Sequence, residues 1–317
     1  MSEPANSLII PVYKNADTVQ PLVAAVRELS DALGGNLETV FVVDGSPDDS
    51  HAQLAKGLEG SGLRAQLVCH SRNFGSFAAI RTGLGLARGQ RFAVMAADLQ
   101  EPPELVRDFF ETLAKNEADL VCGTRTERDD PSGSKLAASA FWRLYRWLVQ
   151  PEVPAGGVDI FGCNLAVRDS LLKLDESHSS LIGQLFWLGF RRKEIPYLRR
   201  ARAGTGKSAW TFRKKWKYML DSIFSFTDLP ISILTATGFW GIALSLAVSL
   251  GVFGGWLFGL IGVLGYTPIM LMLAFSTSVN LLAAGILGSY VWRTFENTKH
   301  RPLSVLMSRR LYPPETV

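Results

Sequence analysis

Two acids and an arginine stand where apolar runs stop. In AVMAADLQEPPEL (Ala93–Leu105), strand-like residues lead to Asp98, followed by Gln100 and by Pro102 and Pro103. ETVFVVD ends the same way on Asp44, with GSPDD behind it, and AQLVCHS leads into Arg72 and Asn73. A carboxylate inside an apolar sheet is costly to bury. At a strand end it can bind a cation or a hydroxyl. Local sequence allows plainer roles: Asp98 can cap a helix starting near Pro103, and Asp44 can serve an Asp-Gly turn. Asp159, in GGVDIFGCNLAVRD (Gly156–Asp169), is a further candidate acid. The four histidines, His51, His70, His178 and His300, have no paired metal spacing and read as structural or surface residues. Neither a Gly-x-Ser-x-Gly elbow nor a Walker loop is present.

Such residues need a scaffold that gathers strand ends. The chain alternates apolar strands at Ser7–Tyr13, Glu38–Asp44, Ala65–Ser71, Arg91–Asp98 and Ala118–Thr124 with helical segments at Thr18–Leu33, Gly75–Ala87 and Pro103–Asn116. Continuous apolar strands between amphipathic helices predict an α/β fold with a mostly parallel sheet covered on both faces. Ligands then bind beyond the carboxyl ends of the strands. That places Pro11–Tyr13, Asp44–Ser46, Arg72–Asn73 and Asp98–Gln100 around one crevice.

The composition divides the 317 residues unevenly. From Ile231 to Trp292 there is no Asp, Glu, Lys, Arg or His, which predicts two membrane spans at about Ile231–Phe258 and Pro268–Trp292. Basic residues lie before the first (Arg213, Lys214, Lys215, Lys217) and after the second (Arg293, Lys299, Arg301, Arg309, Arg310). The positive-inside rule then places both termini and the first half in the cytoplasm. Ser208–Phe226 mixes aromatic and basic residues, as a helix in the headgroup layer does. The expected organisation is a domain over 1–207, an interfacial segment over 208–228, a membrane hairpin over 229–292 and a tail over 293–317. The clean charge boundary predicts that a chain cut after Asp228 still folds. Gly238, Gly241 and Gly285 permit close helix packing, including between copies in a homo-oligomer. A net charge of +4 is too small to argue for nucleic acid, and three scattered cysteines suggest a reducing compartment.

Six stretches in order resemble the polyprenyl-phosphate glycosyltransferases of glycosyltransferase family 2, which have the GT-A fold. They are IIPVYKN, VVDGSPDDS, SRNFGSFAAIRTGL, MAADLQEPPEL, GKSAWTFRKKWKYMLDSI and GILGSYVWRTFENTKHRP. The resemblance implies an inverting, membrane-bound enzyme moving a sugar from a nucleotide diphosphate to undecaprenyl or dolichyl phosphate, with Mg²⁺ or Mn²⁺, at the inner membrane. It assigns Asp98 and Gln100 to the metal, Asp98 and Asp159 to catalysis, and Pro11, Tyr13, Asp44, Arg72 and Asn73 to the nucleotide sugar. By position beside the interfacial segment, Arg202, Lys207 and Arg213 are candidates to grip the lipid phosphate. Val43, Ala96 and Ala209 depart from the family pattern, each replacing a charged residue. They motivate an alternative: a catalytically impaired, membrane-tethered nucleotide-sugar-binding partner subunit. A processive synthase usually carries a Gln-x-x-Arg-Trp motif and more spans, and the sequence has neither.

Overall fold

The computed structural model describes residues 4–125, 143, 146, 152, 154, 158, 160–176, 179–200, 212–227, 229–259 and 266–313, with some helical side chains between 212 and 278 outside that description. Strands β1 (Asn6–Val12), β2 (Leu37–Val43) and β3 (Arg64–His70) fall one residue earlier than expected. Helices α1 (Val19–Ala32), α2 (Ser50–Leu58), α3 (Ser76–Leu86) and α4 (Pro103–Ala114) alternate with the strands. β4 (Arg91–Val94) stops well before Asp98. Met95 still donates its N–H to Ile9 O at 3.1 Å. Beyond it the chain turns away: Thr18 Oγ1 donates to Ala97 O at 3.0 Å and Leu99 adopts a φ of +55°.

β5 (Leu120–Arg125), β6 (Phe161–Asn164), α5 (Leu165–Leu172), α6 (Leu181–Trp187) and β7 (Arg192–Tyr197) follow. The last elements are α7 (Phe212–Phe226), α8 (Leu229–Leu257), α9 (Tyr266–Thr298) and β8 (Leu306–Tyr312). One sheet of eight strands results, in the order β7-β5-β6-β4-β1-β2-β3-β8. β4, β1, β2 and β3 are parallel, as are β5 and β7, while β6 and β8 run against their neighbours.

The central strands are apolar at nearly every position because both faces are covered. Leu8, Ile10, Phe41, Val43, Leu67 and Cys69 point toward α1, α2 and α4. Ile9, Val40, Val42 and Val68 point the other way, toward α3, α5 and α6. Each fully buried aliphatic or aromatic side chain contributes about 1.5–3 kcal/mol relative to exposure.

The residues expected to form a tail instead close the sheet. β8 pairs antiparallel with β3, from Ala65 opposite Tyr312 to Cys69 opposite Ser308. Arg309 Nε donates to Gln66 Oε1 at 3.0 Å, and Ser71 N–H donates to Val305 O at 3.0 Å. A cut after Asp228 therefore removes an edge strand and opens the outer edge of β3, which keeps its pairing with β2.

α7 lies between the sheet domain and the end of α9. Met219 and Ser222 are buried, and Ile223 and Phe226 pack on the core beside α6. A Cβ at Gly183 of α6 would stand 2.4 Å from the Phe226 ring, so glycine permits this approach. On another face, Asp221 accepts from Arg293 Nη2 of α9 at 2.7 Å, and Phe224 meets Tyr290 edge-on at 5.2 Å. Part of the apolar stripe expected in the headgroup layer thus meets protein. Among the described residues, no single helix is long and apolar enough to cross a membrane. Met219–Phe226 and Leu229–Gly241, bent by 73°, reach that composition together.

Candidate active site

The parallel register lines up the strand ends. Val12 pairs with Val43, and Val43 with Cys69, so Tyr13, Asp44 and His70 follow side by side. Ile9 pairs with Val94, which brings the Met95–Gln100 turn to the same edge. Pro11 is half-buried on β1, and Tyr13 is exposed at its end with Lys14 Nζ 5.5 Å from its ring centre. The expected crevice residues with described side chains are therefore gathered together.

Asp44 occupies the centre of this edge but is itself only 2% exposed. Its Oδ1 lies 2.8 Å from His70 Nδ1 and accepts from Phe74 N–H at 2.9 Å; its Oδ2 accepts from Gly75 N–H at 2.7 Å. Burial pushes its carboxyl up, but the bond to His70 and the two backbone N–H groups outweigh this and hold it below the ordinary carboxylate value. In this arrangement Asp44 clamps the turn that carries Arg72 and Asn73, both exposed at the rim. The Arg72 guanidinium stacks 4.0 Å from the Phe74 ring centre. Gly45 makes the turn possible: its φ is +56°, and a Cβ there would fall 2.2 Å from Arg72 C.

Sequence reasoning missed Asp48, although it stands in the quoted VVDGSPDDS. Its Oδ1 accepts from Ser46 Oγ at 2.6 Å and Ser50 Oγ at 2.7 Å, and its Oδ2 accepts from Ala16 N–H at 3.1 Å. Ser46 Oγ in turn accepts from Lys14 N–H at 2.8 Å. Desolvation raises the Asp48 pKa, and these hydrogen bonds more than reverse it. The loops after β1 and β2 are thereby latched to one another.

Asp98 does not cap the following helix. The cap position of α4 is Pro102, with no side-chain cap bond, and Asp98 Oδ1 lies 3.4 Å from Gln100 N. Its carboxylate is half-buried at the crevice. Gln100 is drawn toward another partner: its Oε1 accepts from Arg199 Nη2 at 2.6 Å, and its O accepts from Arg200 N–H at 2.8 Å. Arg199 also faces the buried Glu101, with Nε 4.0 Å from Oε1. Arg199 is the second residue that sequence reasoning missed. Its signal was the arginine run LRRAR, which ends on Arg202.

Asp159, Arg202 and Lys207 lie outside the described residues. Arg213 is in the first turn of α7, with its side chain outside the description. Phe161 opens β6, and Ala93 pairs with Gly162, so the chain enters β6 where β4 leaves the sheet. Arg199 and Arg200 tie the chain to the Asp98–Gln100 turn just before residue 201.

Among the described residues, no group of three or more His, Cys, Asp or Glu side chains could hold a metal. Asp98 and Gln100 offer one carboxylate and one amide oxygen, the latter shared with Arg199. Mg²⁺ commonly takes one or two protein carboxylates with substrate phosphates and water. The pair fits a cation completed by a bound diphosphate and does not fit an all-protein cage. Thiolate chemistry has no support: Cys69, Cys122 and Cys163 are buried. Burial pushes the Cys122 and Cys163 thiols up to about 12.

Residues 7–174 match the model of glycosyl transferase family 2. An uncharacterised glycosyltransferase of Synechocystis sp. is 30% identical over 307 residues, covering 94% of this chain and 93% of the relative. The bactoprenol glucosyl transferase of Shigella phage SfV is 27% identical over 311 residues, covering 96% of this chain and 98% of the relative. A mannosyltransferase of Pyrobaculum calidifontis, solved with GDP-Man and Mn²⁺, is 15% identical over 94% of this chain and 88% of its own, with a TM-score of 0.47. The family's domain runs from the first strand through α5, and relatives match the chain nearly end to end, so this chain belongs to glycosyl transferase family 2 and is a glycosyltransferase.

Proposed function

We propose that this glycosyltransferase moves a sugar, with inversion, from a nucleotide-diphosphate donor to a polyprenyl phosphate at the cytoplasmic face of the inner membrane. The observation that carries this reading is the nearly end-to-end match to a bactoprenol glucosyl transferase, which extends through α8 and α9. The donor lies over the strand ends, with the Arg72 guanidinium available to its diphosphate and Tyr13 and Asn73 at the rim. A divalent cation, held by Asp98 and Gln100, would neutralise the charge that grows on the leaving diphosphate. Asp98 supplies the negative charge of that site, and Arg199 sets the orientation of the Gln100 amide. Asp159 precedes β6, which starts at the crevice end of the sheet, and orients the acceptor. A phosphate monoester has its second pKa at about 6 and is largely ionised, so little proton removal is needed.

The acceptor side is built on the helices. By length alone α8, with 29 residues, and α9, with 33, exceed the roughly 20 that cross a bilayer, although among the described residues only the bent pair Met219–Phe226 and Leu229–Gly241 is apolar enough. Phe239, Trp240, Leu244, Leu250, Leu281, Leu282 and Val291 are exposed on them, which suits contact with lipid. α7 would hold the crevice at the membrane surface, with Arg202, Lys207 and Arg213 gripping the lipid phosphate.

Ala96 and the tether on Gln100 favour one other reading, a nucleotide-sugar-binding partner subunit with impaired catalysis. The test is turnover by the purified full-length protein with labelled nucleotide sugars and undecaprenyl phosphate, the lipid product being identified by mass. Donor binding without product supports the partner reading and sinks the transferase one. With turnover, Asp98→Asn should lower the rate at least about 10-fold, most at low Mg²⁺, because mass action refills a weakened site.

A further inference from the structure

Asp44 is the first member of a hydrogen-bonded chain that leaves the crevice. His70 Nδ1 lies 2.8 Å from Asp44 Oδ1, and His70 Nε2 lies 3.0 Å from Thr82 Oγ1 of α3. Thr82 Oγ1 lies 2.8 Å from Ser304 Oγ, 222 residues further along the chain. His70 and Asp44 are 1% and 2% exposed, so water cannot easily substitute for these partners. Ser304 is held in place from both sides. It follows the end of α9 and precedes β8, and next to it Val305 O accepts the N–H of Ser71 at 3.0 Å.

The chemistry of the four groups orders the chain. An ionised carboxylate only accepts, so the ring proton facing Asp44 is on Nδ1. In the neutral ring Nε2 must then accept, and Thr82 supplies its hydroxyl proton. The Thr82 oxygen is left to accept from Ser304. Each hydroxyl is thereby committed to one direction, and the ring to one tautomer and one orientation. That ring fixes Asp44, and Asp44 holds the N–H groups of Phe74 and Gly75 behind Arg72 and Asn73.

We propose that Thr82 and Ser304 are positioning residues for the donor: through His70 and Asp44 they hold the Arg72–Asn73 turn in its binding geometry. The segment returning from α9 is thus part of the donor site. The inference rests on the reading that the nucleotide diphosphate binds at these strand ends.

The test uses the full-length protein labelled with ¹⁵N-histidine, at about pH 8, above the free imidazole range. Its four histidines are few enough for His70→Gln to assign the signal. Binding of UDP and of GDP is measured on the same samples by calorimetry. The wild type should show the Nδ1–H tautomer at His70. Thr82→Val and Ser304→Ala should shift the His70 Nε2 resonance, the Nδ1–H tautomer being kept by Asp44, and weaken the preferred nucleotide about 3–10-fold, the scale of one lost hydrogen bond. Thr82→Ser and Ser304→Thr, which keep the hydroxyl, should restore both. Should Thr82→Val not fold, Ser304→Ala at the half-buried end of the chain carries the test alone. An Nε2–H tautomer in the wild type overturns the proposal. So does an unchanged Nε2 resonance and affinity in the two hydroxyl-less variants. A wild type that binds neither nucleotide sinks the donor-site reading instead, while the His70 resonances still decide the hydrogen-bonded chain.

Discussion

Replacing Gly45 by alanine tests how closely the β2 turn and the donor turn are fitted. The backbone at Gly45 has φ +56°, where an L-residue costs about 1–2 kcal/mol. The new Cβ would also stand 2.2 Å from Arg72 C, 2.5 Å from Asn73 N and 2.6 Å from Arg72 Cα. All three are backbone atoms, so no side-chain rotation relieves the overlap. Ordinary contact begins near 3.4 Å, so the Arg72–Asn73 backbone must retreat by more than 1 Å. That retreat stretches the Phe74 and Gly75 bonds to Asp44, now 2.9 and 2.7 Å, and leaves a buried carboxylate short of donors. Together these effects should cost about 3–5 kcal/mol. For a domain of this size that is roughly a 10 °C fall in Tm. Gly60→Ala is the internal control: φ is +67°, but nothing lies within 4 Å of its Cβ position. It should show the backbone term alone, with nucleotide affinity unchanged. Thermal unfolding and nucleoside-diphosphate calorimetry on both variants decide the matter. If Gly45→Ala matches Gly60→Ala in Tm and in affinity, the close approach of the two turns is wrong.

Three other perturbations address separate parts of the molecule. Asp221→Asn should raise the KM for undecaprenyl phosphate about 3–10-fold and leave donor affinity alone, because Asp221 and Arg293 join α7 to α9 at 2.7 Å. Asp221→Arg combined with Arg293→Asp should recover part of the loss, and equal damage to donor and acceptor kinetics would refute this coupling. Removing residues 299–317 deletes β8 and should give a protein that melts lower and self-associates through the open edge of β3, measured by light scattering. A monomer with wild-type Tm would show that β8 is dispensable. The folded pKa of Asp44 lies below its ordinary value of 3.8, so its contribution to stability is complete above that value and is lost as pH falls through the folded pKa. Denaturant midpoints measured at about pH 5 and pH 3 should fall less between the two in Asp44→Asn than in the wild type. An identical slope would contradict the hydrogen-bonded, ionised state of this acid.

Much of the architecture was legible in the sequence because it rests on local pattern. Val40 to Val43 are apolar at every position, and only a strand buried on both faces needs that. Val19, Leu22, Val23, Val26 and Leu29 repeat at helical spacing and are all buried on one side of α1. Pro103 opens α4, where a missing N–H costs nothing. From these periods the order of strands and helices follows, and with it the edge where Tyr13, Asp44, Arg72 and Asp98 meet. Tertiary structure alone decided what each of them touches. Asp98 belongs to a turn beyond Met95, where Leu99 takes a left-handed conformation that no propensity announces. Asp44 reads as an Asp-Gly turn acid or a nucleotide contact, yet it is buried under the loop it organises. Arg199 meets Gln100, 99 residues away, and Ser304 meets Thr82, 222 residues away. LMSRRLY reads as a basic flank after a span, and it becomes a strand through pairing with β3. Periodicity records which face of an element is apolar. Hydrogen-bond partners distant along the chain are set only when the whole sheet closes, and a local pattern holds no information about them.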